Sequence, residues 1–92
     1  MSGAIGTAHG AEAGLTIQVR LFASLREHAG WDARRLALAA GSTPERVWRE
    51  LGLGEGAIPA TVRVAVNQTF ASPQQALAAG DELAFLPPIS GG

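Results

Sequence analysis

The sequence predicts an α+β domain in which a small mixed β-sheet carries its main helix on one face. Strand alternation, helix boundary signals and a length limit support this. Short stretches alternate apolar and polar residues, as strands with one buried face require. Between them lie two stretches with helical start or stop signals. The chain has 92 residues, which suits one domain. The resulting order is β-α-β-α-β-β-β, and a helix laid across one sheet face is the economical packing for it.

Residues 1–14 are rich in Ala and Gly and show no hydrophobic period, so we expect a disordered N-terminal tail. His9 within it is expected to be inert. The folded domain is expected over 15–86. In Leu15–Leu21, Leu15, Ile17, Val19 and Leu21 alternate with Thr16, Gln18 and Arg20, which predicts a strand with its odd positions inward. Ala23–Ala29 is a short helix with Leu25 as its buried contact and Gly30 as its stop. His28 falls in the last turn, where a cation suits the helix dipole. Arg34–Ala39 is a second strand. Ser42 with Glu45 forms a capping box, or Thr43 caps a helix with Pro44 at its first position. That helix runs to about Leu51, and Val47, Trp48 and Leu51 share one face. Gly54, Gly56 and Pro59 mark 53–60 as loop.

Thr61–Val66 is an alternating strand with Val62, Val64 and Val66 inward. Asn67-Gln68 then makes a tight turn into Thr69-Phe70, since Asn tolerates positive φ. Residues 71–79 read as irregular, with one helical turn at most. Glu82–Leu86 is the last strand, Leu83 and Phe85 facing the core. Pro87-Pro88 cannot extend a ladder and ends it.

Composition excludes several chemistries. Apolar residues make up 47% and charged residues 16%, which argues against wholesale disorder. The net charge of −1 gives no electrostatic case for nucleic acid or an anionic membrane. No apolar run approaches the roughly 20 residues of a membrane span, and Met1–Gly14 lacks the basic start and apolar stretch of a signal peptide. A cytoplasmic location is the expectation. Without cysteine there is no disulfide, thiolate metal site or cysteine nucleophile. All seven basic residues are arginine, which removes Schiff-base chemistry and a P-loop lysine.

No catalytic constellation emerges. Glu12, Glu27, Asp32, Glu45, Glu50, Glu55, Asp81 and Glu82 each suit a cap, a turn or a solvated face. Two histidines, one in a tail, do not make a metal site. What remains is the flexible tail expected over 87–92, Pro87-Pro88-Ile89-Ser90-Gly91-Gly92. An α-carboxyl on Gly92, with an ordinary pKa of about 3.3–3.7, is anionic at pH 7 and able to attack the α-phosphate of ATP. Glycines leave a narrow active-site channel unobstructed. Prolines reduce the entropy lost on insertion. Six residues reach at most about 20 Å. The domain would be the handle and Gly92 the reactive group.

Parity predicts the docking surface. Phe22 continues the outward series of the first strand, and Leu86 is outward on the last. If these strands are parallel neighbours, both residues lie at the end from which the tail leaves. Phe22, Leu86 and Ile89 are therefore expected to form an apolar interface patch, the alternative being that Phe22 turns inward under the short helix. Arg63, outward on its own strand, either steers an acidic partner or is simply solvated.

Leu21–Gly30 (LFASLREHAG), Val64–Thr69 (VAVNQT) and Gly80–Gly92 (GDELAFLPPISGG) together resemble the small, sulfur-carrying subunit of molybdopterin synthase, a ubiquitin-like β-grasp family. The resemblance implies that Gly92 is adenylated by an E1-like activating enzyme using ATP and then becomes a thiocarboxylate. It implies that the tail enters the large synthase subunit, where sulfur passes to a pterin precursor. The active site would belong to that subunit, with no cofactor or metal bound by the carrier, which is not catalytic alone. A carrier for thiamine or another acceptor, and a ubiquitin-like protein modifier, are the alternatives.

Overall fold

A computed structural model of the protein describes residues 14–88. The elements are β1 (Gly14–Leu21), α1 (Ala23–Ala29), β2 (Ala33–Ala39), α2 (Pro44–Glu50), β3 (Arg63–Val66), β4 (Thr69–Phe70) and β5 (Glu82–Leu86). They form one five-stranded sheet in the order β2-β1-β5-β3-β4. β1 and β5 are parallel, and every other pair is antiparallel. The mixed sheet with α2 against one face is the β-grasp arrangement implied by the resemblance. The expected domain boundary moves by one residue. Gly14 pairs with Ala39 and opens β1, so the ladder reaches one position into the expected tail. The rest of that tail lies outside the described residues.

Alternation puts the core where periodicity predicts. Ile17, Val19, Leu21, Leu83 and Phe85 are at most 2% exposed. Val47 and Trp48 of α2 close over them, and the Trp48 ring meets Phe85 edge-on, with centroids 5.2 Å apart. Gly54 packs against the same indole: a Cβ there would lie 2.9 Å from a Trp48 ring carbon. Leu25 of α1 packs on the core only partly buried.

Three local readings are sharpened. Thr43 is the N-cap of α2, its hydroxyl accepting from the Arg46 backbone N–H at 3.3 Å, and Pro44 follows. Ser42 is buried and its hydroxyl instead donates to the Ala39 carbonyl at 2.7 Å. β3 begins only at Arg63, and Val62 is half-buried before it. Its amide donates to the Pro59 carbonyl, 3.0 Å away, so it belongs to the preceding turn. The irregular 71–79 segment contributes Leu77 to the core, 5% exposed, held by its N–H on the Ser42 carbonyl.

The β3–β4 hairpin turns on Asn67 and Gln68, both at positive φ (53° and 68°), as a two-residue primed turn requires. Asn67 also ties this hairpin to β5. Its side-chain oxygen accepts from the Glu82 N–H and its amide donates to Asp81 at 2.9 Å. Among the described residues, no helix is long and apolar enough to cross a membrane.

Candidate functional site

Register assembles the uncovered sheet face. Arg20 lies beside Ala84, Ala84 beside Ala65, and Ala65 beside Phe70. The row therefore runs from arginine through two alanines to phenylalanine. Two small side chains in the middle leave a trough. Phe22 and Phe70 wall it, Leu86 closes one end, and Gln68 and Glu82 lie at its margin. The groove has a volume of about 340 Å³. A second groove adjoins it, lined by Thr61, Arg63, Phe70, Leu86, Pro87 and Pro88. Phe70 and Leu86 are common to both, so the apolar trough runs on to the place where the chain leaves β5.

Phe22 is half-buried on this face. Its orientation follows from the join between β1 and α1. Phe22 is the extended N-cap residue, at φ −128° and ψ 154°, and Ala23 follows at φ +52°, a left-handed conformation that costs a non-glycine residue about 1–2 kcal/mol. The Phe22 carbonyl accepts from Leu25 at 3.1 Å, so α1 turns away and leaves the ring at the groove. Leu86 is half-buried at the matching end of β5.

Phe70 is 65% exposed, the one large hydrophobic residue so exposed among the described residues. It was missed as a site residue, yet the signal was present. A two-residue turn at Asn67-Gln68 sets Ala65 opposite Phe70. Val64 and Val66 face inward, so Ala65 and Phe70 must face outward.

The charges are organised around these rings. Arg20 pairs with Glu82 at 3.2 Å, and its guanidinium lies 5.4 Å from the Phe22 centroid. The Arg63 guanidinium lies 4.5 Å from the Phe70 centroid. Arg63 is thus exposed but held against an aromatic ring, an arrangement beyond the two readings its sequence position allowed. Such contacts contribute about 0.5–1 kcal/mol each at exposed sites.

Several carboxylates have structural partners: Asp81 accepts from the Ala78 N–H at 2.8 Å, Glu50 pairs with Arg46 at 3.0 Å, and Glu45 accepts from the Gln74 amide. Among the described residues, no three His, Cys, Asp or Glu side chains are grouped to hold a metal ion. Among the described residues, the side-chain hydrogen bonds serve caps, turns and ion pairs and join no hydroxyl to a histidine. The arrangement can bind a protein surface beside an emerging chain end. Pro87 and Pro88 line that exit, whereas Ile89, Ser90, Gly91 and Gly92 lie outside the described residues.

The ThiS family matches residues 19–92. The chain is 34% identical over 83 residues to a protein of Chlamydomonas reinhardtii named molybdopterin synthase sulfur carrier subunit, a match covering 85% of this chain and 100% of that protein. It is 39% identical over 85 residues to the Escherichia coli protein of the same name, covering 83% and 99%. Among solved structures, SAMP1 of Haloferax volcanii, a small archaeal modifier protein, superposes with a TM-score of 0.75 at 32% identity, covering 84% of this chain and 99% of that one.

Proposed function

Since the chain belongs to the ThiS family, we propose that it is a sulfur carrier of molybdopterin synthase. The carboxylate of Gly92 attacks the α-phosphate of ATP in an E1-like enzyme, and pyrophosphate leaves. A sulfur nucleophile from a donor then displaces AMP, leaving a thiocarboxylate. The domain carries this group to the large synthase subunit, where the sulfur bonds to a carbon of the pterin precursor and water cleaves the acyl carbon–sulfur bond, returning the Gly92 carboxylate. The chain's own residues bind and place. Phe22, Phe70 and Leu86 form the apolar anchor site, Pro87 and Pro88 stiffen the exit, and Ile89, Ser90 and Gly91 lead Gly92 into the partner. No side-chain thiol is needed, in keeping with a sequence that has no cysteine.

The observation that carries this reading is the continuity of the apolar trough with the chain exit at Leu86–Pro88. Phe70 stands exposed beside half-buried Phe22 and Leu86, and apolar surface rimmed by polar groups suits an interface; a partner seated on it would lie next to the departing tail. The likeness to the Haloferax modifier protein favours a second reading, attachment of Gly92 to amines of target proteins.

Intact mass after incubation with ATP, the activating enzyme and a sulfur donor separates the two. Replacement of one oxygen by sulfur is the expected result. A protein-sized adduct formed in lysate establishes the modifier reading, and an unchanged mass overturns the carrier reading. Removing Gly92, or adding one residue after it, should abolish transfer without unfolding the domain, because a 1 Å misplacement of a reacting group can cost about 10²-fold in rate.

A further inference from the structure

We infer that the uncovered sheet face is an electrostatic receptor for an acidic protein surface, in which Arg35 and Arg63 meet partner carboxylates while the trough between Phe22 and Phe70 takes an apolar side chain. This rests on the docking role proposed above and gives the partner its chemistry.

The first observation is segregation of charge. The chain as a whole carries −1. Arg35 lies opposite the outward Gln18 across the β1–β2 ladder, on the same face as Arg20 and Arg63. Outward strand positions therefore hold three arginines, and Glu82 is their one carboxylate, a net charge of +2 on this face. The other described carboxylates stand off the strands: Glu27 on α1, Glu45 and Glu50 on α2, and Asp32, Glu55 and Asp81 in connections. Arg46 and Arg49 of α2 pair with Glu50 and Glu45.

The second observation is how the cations are held. Arg20 is engaged by Glu82. Arg35 and Arg63 have no ion-pair partner among the described residues and stand on different strands either side of the central β1–β5 pair. Arg63 is braced on Phe70. A guanidinium stacked on a ring keeps its in-plane N–H donors for a carboxylate, at reduced entropic cost. Phosphate would satisfy the arginines but not the apolar trough between them, so the face fits a protein, and the large synthase subunit is its occupant.

The test is stopped-flow association with the large synthase subunit encoded in the same genome, at low and at physiological salt. The double variant R35Q/R63Q should associate about tenfold more slowly at low salt, converge on the unaltered protein as salt screens the charges, and dissociate within about twofold of it. E82Q should associate faster, and R63K should recover most of the rate. Thermal melts confirm that each variant is folded. A salt-independent association rate, an unchanged or faster rate in the double variant, or displacement of the subunit by a duplex DNA fragment overturns the inference. F70A separates it from the docking proposal: if F70A loses binding while R35Q/R63Q associates normally, only the electrostatic inference fails. If both bind as before, the docking role fails with it.

Discussion

Leu21 and Phe22 are adjacent in the chain, as are Phe85 and Leu86, yet each pair divides between the two faces of the sheet. Leu21 and Phe85 lie in the core that α2 closes, with at most 1% of their surface exposed. Phe22 and Leu86 line a trough that nothing in the chain covers among the described residues. The covered face interlocks: ring meets ring, and Gly54 makes room for an indole. The open face instead alternates large rings with Ala65 and Ala84, leaving a vacancy of side-chain size. Equal hydrophobicity thus does two different jobs, and neighbour size decides which. Bulky neighbours give a core, and small neighbours leave an open trough.

The largest test of that contrast is F85A. Removing a fully buried ring that packs on Trp48 should cost about 3–5 kcal/mol of stability, read from denaturant unfolding. That is a large part of what a domain of this size has. Next comes G54A. Its Cβ would sit 2.9 Å from the indole, and overpacking of this kind costs about 1–3 kcal/mol, with affinity of the folded protein for the large subunit unchanged. F70A should show the opposite pattern. Its stability should stay within about 0.5 kcal/mol of the unaltered protein, while binding weakens by at least about 1 kcal/mol, measured by calorimetry. If F70A instead unfolds the domain, the two faces are not separable. The smallest effect is expected from the Arg20–Glu82 pair: a double-mutant cycle should give less than about 1 kcal/mol, since both side chains retain substantial solvent contact.

The element order and the inward residues of β1, β3 and β5 were legible because period-2 alternation survives in LTIQVRL, RVAV and ELAFL. The parallel adjacency of β1 and β5 was not carried by alternation, which fixes which side a residue faces and not which strand lies next to it; the family resemblance supplied that. Leu77 was illegible for a related reason. It joins the core from an irregular segment with no period of its own, anchored by its N–H on the Ser42 carbonyl before α2. Arg63 was seen as outward, but stacking on Phe70 depends on hairpin register and on a side-chain torsion, and neither is written in spacing. Phe70 itself was accessible once the turn was read as two residues long.

The central place of β5 has a consequence for how the protein forms. β1 and β2, joined through α1, and the β3–β4 hairpin are both pairings of sequence neighbours, which close quickly. β5 comes last in the described sequence and lies between them, pairing back to Gln18 from Glu82. Sheet closure therefore waits on long-range contacts, the slow kind in topological terms. The strand that leads into Pro87 is also the one that completes the sheet. A chain in which β5 has not yet paired lacks the assembled trough beside its exit, because Glu82, Ala84 and Leu86 of that strand line it.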